Sequence, residues 1–242
     1  MNRVELKNRF VIVADIVGFK AFMEKEESTV INAIVGNFFD FIKDNNIKNN
    51  QIEKYGIIND TIYFVFKDNA SLESVFYNAY CLMTHMPTVL IQGGISKGDI
   101  IICDENNNSI IMGNAFLNAH RYTEKYPIGM YLDYKNIYPN ETISKIADYN
   151  DVSKYFNYYM LSLQGFKNEE LLYLNFVRNH NYSITELYQF LEALHTYYIN
   201  ANDEQKIRKF TLCFLMLSLT NAISLKVDES TFNYYKGTWY HE

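Results

Sequence analysis

The sequence predicts an α+β fold, an α/β sandwich in which a ferredoxin-like sheet domain is followed by a helical C-terminal extension. Three observations carry this expectation. The run Phe10-Val11-Ile12-Val13-Ala14 is wholly apolar, the character of a central strand covered on both faces. After it, strand hairpins alternate with amphipathic helical stretches. From about Tyr138 onward the strand signal fades and helical spacing takes over. Residues 1–137 are therefore expected to form the sheet domain, with 138–242 as a helical extension packed on it. No linker rich in Pro, Gly or Ser separates the two, and no internal repeat is present.

The elements follow in order. The first strand ends at Asp15, and Gly18 comes before an amphipathic stretch. Between Ser28 and Ile42 the apolar residues Val30, Ile31, Ile34, Val35, Phe38, Phe39 and Ile42 recur at helical spacing. Gln51 to Ile57 and Thr61 to Phe66 are strand-like, and Asn59-Asp60 between them is good turn chemistry, so a hairpin is predicted. A second helix spans roughly Ser71 to His85. Val89 to Ile95 and Asp99 to Cys103 are expected as two strands joined through Ser96-Lys97-Gly98. Ile110 to Met112, a short helix over Asn114 to Lys125 and a strand near Met130 to Leu132 complete the sheet domain. Leu171 to Val177, Ile184 to Tyr198 and Lys206 to Leu225 have helical patterns.

Composition narrows the class. The chain has 242 residues, 48% of them hydrophobic and 21% charged, ordinary values for a globular protein. Its net charge is -6 and no Lys/Arg cluster is dense enough to grip a nucleic-acid backbone, which argues against long polyanions as partners. Cys81, Cys103 and Cys213 have neither CxxC nor zinc spacing and are expected to be buried, reduced thiols. The N-terminus lacks a secretory apolar core, and Phe210 to Leu219 is too short to span a bilayer, so a cytoplasmic location and no membrane are expected.

Asp15 and Asp60 are the first candidates for chemistry. Neighbouring strands lie ~4.8 Å apart, so an acid ending the first strand can face one at the tip of the adjacent hairpin. Two converging carboxylates repel unless something positive bridges them. A pair of divalent ions ~3.5–4 Å apart does so, and is common apparatus for in-line displacement at phosphorus. Spacing alone favours a plainer reading, in which Asp60 makes an Asx turn and Asp15 caps the next helix. Gly18 and Phe19 form a tight turn into a helix whose backbone N–H groups could hold a triphosphate, or could simply connect a strand to a helix. None of the five histidines shows ligand spacing.

Four segments resemble the class III nucleotidyl cyclases. VADIVGFKAF resembles the first-strand signature of that family, and IEKYGIINDTIYFVF its second metal segment. GGISKGDIII is similar to its Gly-x-x-x-Gly strand pair, and IIMGNAFLNAHRYTE to its final signature of Gly, Asn, Ala and Arg. The resemblance implies a ferredoxin-like cyclase domain in which Asp15 and Asp60, with the carbonyl of Ile16, hold two divalent ions (Mn²⁺ or Mg²⁺). It implies that Arg121, eight residues after Gly113, stabilises the pentavalent phosphorane. It also implies a head-to-tail homodimer with shared active sites, in which Arg121 acts on the partner's substrate.

The departures from the family pattern are specific. A Lys or Glu that reads a purine four residues before the second metal aspartate is replaced by Gly56. The second reader position, three residues before Gly113, is Ile110. Leu117 occupies the place of the transition-state Asn, with Asn118 beside it as a substitute candidate. Together with the helical C-terminus and Tyr126-Pro127, these features resemble the pyrimidine cyclases of the Pycsar antiphage system. That resemblance implies conversion of UTP or CTP to cUMP or cCMP as a signal for a separate effector. Tyr55 is a candidate for filling the space a purine would take, or is an aromatic on an exposed strand face. The alternatives are an adenylate or guanylate cyclase with unusual base contacts, and an inactive cyclase-fold module that binds nucleotide without turnover.

Overall fold

The structure, a computed structural model, describes residues 2–19, 32, 35–43, 51–85, 91–105, 108–126, 129–163 and 166–174, with isolated positions beyond. Eight strands form one sheet: β1 (Asn2–Ile16), β2 (Ile52–Ile58), β3 (Thr61–Phe66), β4 (Ile91–Glu105), β5 (Asn108–Met112), β6 (Gly129–Leu132), β7 (Phe156–Leu163) and β8 (Phe166–Leu174). The helices are α1 (residues 35–43), α2 (Leu72–His85), α3 (Asn114–Lys125) and the short α4 (Tyr134–Ile137), α5 (Ile143–Ala147) and α6 (Asn150–Ser153). Strand order is β2-β3-β1-β4-β6-β8-β7, with β5 on β4. The first four give the ferredoxin-like core, in which β1 is central and antiparallel to β3 and β4.

Residues Val11 to Ala14 have no exposed surface, which accounts for their apolar run. Alternation along the strands sorts the two faces. Val11 and Val13 share one face with Tyr63 and Val65, and α3 covers it through Ala115 and Ala119. Ile12 and its ladder partner Phe64 look the other way, where Phe38 and Phe41 of α1 pack on the Phe64 ring at 6.0 and 5.6 Å. Burying each such aromatic or branched side chain contributes roughly 1.5–3 kcal/mol. Within α1 Phe38, Phe41 and Ile42 are buried, while Phe39 is exposed. Cys81 and Cys103 are buried and form no disulfide, and burial pushes the Cys81 thiol up.

Two elements differ from the sequence expectation. Ser96-Lys97-Gly98 is not a turn: it lies inside β4, paired with Val11, Phe10 and Arg9 of β1. The cause is the length of β1, which runs back to Asn2 through a bulge between Leu6 and Arg9, with Asn8 in the left-handed region at φ 54. Lys97 lies over the Phe10 ring at 4.6 Å, and buried Ser96 donates to the Asp133 carboxylate at 2.6 Å. Leu171 to Leu174, expected to be helical, end β8 instead. They are buried, and Leu174 and Tyr173 pair with Met130 and Tyr131 of β6. An open edge on β6 supplies ladder hydrogen bonds that outweigh the local helical preference. The sheet thus continues beyond residue 137.

The chain divides into two compact units, Met1–Tyr159 with Glu170–His180, and Met160–Glu169 with Asn181–Glu242. The expected helices Ile184–Tyr198 and Lys206–Leu225, with Cys213, lie outside the described residues apart from isolated positions. No helix among the described residues is long and apolar enough to cross a membrane.

Gly113 sets the start of α3, at φ 142 and ψ 169, a conformation in effect restricted to glycine. A Cβ there would also collide with the Asp99 carbonyl. Gly113→Ala is expected to destabilise the fold by about 3 kcal/mol or more, since strain of order 1–3 kcal/mol is joined by the clash. A urea midpoint within error of wild type would contradict this role.

Candidate active site

The end of β1 and the tip of the β2–β3 hairpin meet. Asp15 pairs with Thr61 across the ladder, so Asp60 stands one residue past the last pair, beside the β1 terminus. The Ile16 N–H donates to the Asp60 carbonyl at 3.0 Å, which pins the tip to the strand end. An extended residue projects its N–H and C=O toward the same neighbour, so the Ile16 carbonyl also faces the hairpin side. Asn59, at φ 56, takes the left-handed position that lets the turn close in two residues. The structure therefore brings Asp15, Ile16 and Asp60 together.

The Asp15 carboxylate accepts a hydrogen bond from the Thr61 hydroxyl at 2.7 Å, which fixes its rotamer. On the other side its ladder partner is Gln92 of β4, a polar side chain left only 7% exposed. Asp15 and Asp60 are each half-buried, accessible from one side. Two carboxylates and a main-chain carbonyl are hard oxygen donors, the set that suits Mg²⁺ or Mn²⁺. Among the described residues no group of three His, Cys, Asp or Glu side chains forms an all-side-chain metal cluster. Such a site would need main-chain or substrate oxygens to complete it.

Gly18 takes φ 78 immediately after the strand, and Phe19 is helical, so the chain turns sharply beside Asp15. The rest of that turn lies outside the described residues. Arg121 and Asn118 sit one turn apart on α3 and are joined by a 3.2 Å hydrogen bond from the guanidinium to the Asn118 side-chain oxygen. Ala115, Ala119 and Thr123 are the buried residues of α3, so Arg121 is exposed on the opposite side of the helix. The helix runs along the sheet toward the Asp15 end, but the Arg121 side chain is directed away from the sheet face that carries Asp15. Leu117, 57% exposed, also lies on the outer side.

Tyr55 does not join the acids. It pairs with Phe64 and packs against Phe38 at 6.4 Å, on the face opposite to Asp15, Thr61 and Tyr63. The residue on the acids' face is Tyr63, whose ring lies over Gly56. Sequence reasoning missed it, although counting back through the two-residue turn from Thr61–Ile58 pairs position 63 with position 56.

No family model matches this chain, and no curated protein matches it in sequence. Solved structures do resemble it. It is similar to the catalytic core of a rhodopsin-guanylyl cyclase with converted specificity in complex with ATPαS, at TM-score 0.53 and 11% identity, over 72% of this chain and 98% of that one. It is similar to the non-canonical dimeric guanylyl cyclase domain of the RhoGC fusion protein from Blastocladiella emersonii, at TM-score 0.52 and 12% identity, over 72% and 96% of the two chains. The guanylate cyclase domain of RhGC from Catenaria anguillulae in complex with GTP gives TM-score 0.51 and 12% identity, over 71% and 98%. The chain has the fold of cyclase catalytic domains.

Proposed function

We propose that this chain is a nucleotidyl cyclase that converts UTP or CTP to cUMP or cCMP and pyrophosphate. The observation that carries the reading is the junction of Asp15, Ile16 and Asp60, pinned by the 3.0 Å bond between Ile16 and the hairpin tip on a cyclase fold. In the reaction the ribose 3′-oxygen attacks the α-phosphorus, a new P–O bond forms, and the bond to the β-phosphate breaks to release pyrophosphate. The 3′ proton passes to solvent. Asp15 and Asp60, with the Ile16 carbonyl, would hold two divalent ions, which when bound acidify the 3′-hydroxyl and neutralise the departing pyrophosphate. Thr61 holds Asp15 in place for this. The amides after Gly18, at Phe19, would bind the triphosphate.

Arg121, with Asn118 beside it, would stabilise charge on the phosphorane in a partner chain, making the active unit a homodimer. Loss of both polar base readers, at Gly56 and Ile110, supports a pyrimidine over a purine, since neither residue has a side-chain donor or acceptor. By the same resemblance, the cyclic nucleotide would serve as an antiphage alarm read by a separate effector. A second reading, an adenylate or guanylate cyclase, draws on the neighbours in complex with ATPαS and GTP. Incubation with each of the four NTPs and Mn²⁺, followed by product separation, distinguishes them. UTP or CTP is expected to be cyclised well ahead of ATP and GTP, and ATP or GTP as best substrate would overturn the pyrimidine reading.

A further inference from the structure

We infer that Tyr122 is a positioning residue for Arg121: the stack of its ring on Tyr126 and Tyr131 sets how the last turns of α3 sit on the sheet, and so where the guanidinium points. The inference rests on the reading of Arg121 as the phosphorane-stabilising group and names the residue that aims it. Arg121 cannot fix its own direction. Among the described residues its side chain bonds only to Asn118, on the same helix, so its place in the molecule follows from that of α3. The buried face of α3 is made of Ala115, Ala119 and Thr123, small side chains that allow close approach but give little grip against rotation.

The tyrosines supply that grip. Tyr122 follows Arg121 in sequence, ~100° further round the helix, and is half-buried. It lies over β4, where a Cβ on Gly94 would stand 2.9 Å from the Tyr122 ring and 2.5 Å from the Ala119 carbonyl. Its ring stacks on Tyr131 of β6 at 6.1 Å and 16°, and on Tyr126 at 5.5 Å and 29°. Tyr126 stacks on Tyr131 at 4.8 Å, and its N–H donates to the Tyr122 carbonyl at 3.1 Å, closing the helix. Tyr131 has no exposed surface and is held by its ladder partner Tyr173 of β8, ring to ring at 5.3 Å. Aromatic contacts of this kind are directional, so three mutually stacked rings resist turning of the helix. A rotation of roughly 10–20° would break the stack and swing Arg121 off line, and ~1 Å of misplacement in a reacting group can cost about 10²-fold.

The test is a cycle of Tyr122→Leu, Tyr122→Phe and Arg121→Ala, with kcat and KM for the best NTP, thermal midpoint and amide hydrogen exchange measured for each. Tyr122→Leu, which keeps apolar bulk and removes the stacking face, is expected to lower kcat about tenfold or more with KM little changed. Tyr122→Phe keeps the stack and should stay within about twofold of wild type. In the Arg121→Ala background Tyr122→Leu should cost nothing further, because the group it aims is gone. A role confined to packing would lower the midpoint and act equally in both backgrounds. Equal losses in both backgrounds, or a kcat unmoved by Tyr122→Leu, overturn the inference while the cyclase reading stands. Turnover near wild type in Arg121→Ala removes the arginine reading and the inference with it. If the wild type cyclises no NTP, the cyclase reading is lost and amide exchange decides. Exchange in the last turns of α3 should then rise about tenfold in Tyr122→Leu with β1 unchanged, and wild-type protection there overturns the inference. Should Tyr122→Leu not fold, Tyr122→Met carries the same expectations.

Discussion

Asp60→Ala and Asp15→Asn are each expected to abolish cyclisation, with a loss on the order of 10³-fold or more in kcat/KM. Each removes a negative oxygen donor from the junction of the β1 end and the hairpin tip. In the absence of metal the pair is a source of repulsion, so the substitutions should leave stability unchanged or slightly raised. Asp15→Asn is preferred to alanine because the amide oxygen still accepts the Thr61 hydroxyl, and the hairpin tip is then undisturbed. Asp60 joins the β1 end through its backbone carbonyl, which any side chain preserves. Product formation with Mn²⁺ and the thermal midpoint are the two measurements. Turnover near wild type in either variant, with a native midpoint, would sink the two-metal assignment.

Arg121→Ala is expected to lower kcat by roughly 10²–10³-fold with a smaller effect on substrate affinity, because the guanidinium meets charge that develops mainly in the transition state. Its place on the outer side of α3, hydrogen-bonded to Asn118 and turned from its own sheet, makes action in trans the geometry to test. A two-fold dimer would bring each arginine to the other chain's site and create two equivalent sites. Mixing inactive Asp60→Ala with inactive Arg121→Ala under subunit exchange gives heterodimers with one doubly damaged site and one intact site. Activity should return toward half of wild type per mixed dimer. No recovery despite demonstrated exchange would mean that Arg121 acts within its own chain or not at all.

Much of the fold was legible because its signals are local. The apolar run before Asp15, the Asn59-Asp60 turn and the helical spacing of α2 and α3 each lie within 14 residues, and each forms as expected. Ser96-Lys97-Gly98 and Leu171 to Leu174 were misleading for one shared reason. Their conformation is set by strands distant in sequence, β1 reaching back to Asn2 in the first case and β6 with a free edge in the second. Local composition carries no record of such pairing.

The acids at the strand end and hairpin tip could be named from the order of residues, because a strand terminus and a two-residue turn confine where they lie. Which aromatic accompanies them could not. Tyr55 and Tyr63 are both tyrosines in apolar strands one hairpin apart, and the side-chain period of two means that a single step of register exchanges the faces. Folding of β2 against β3 pairs Gly56, not Tyr55, with Tyr63, and so turns Tyr55 toward Phe38 and Tyr63 toward the face of Asp15. Helix phase settles Arg121 in the same manner. Packing Ala115, Ala119 and Thr123 against the sheet leaves its guanidinium on the outside, because residues two apart on a helix point nearly opposite ways.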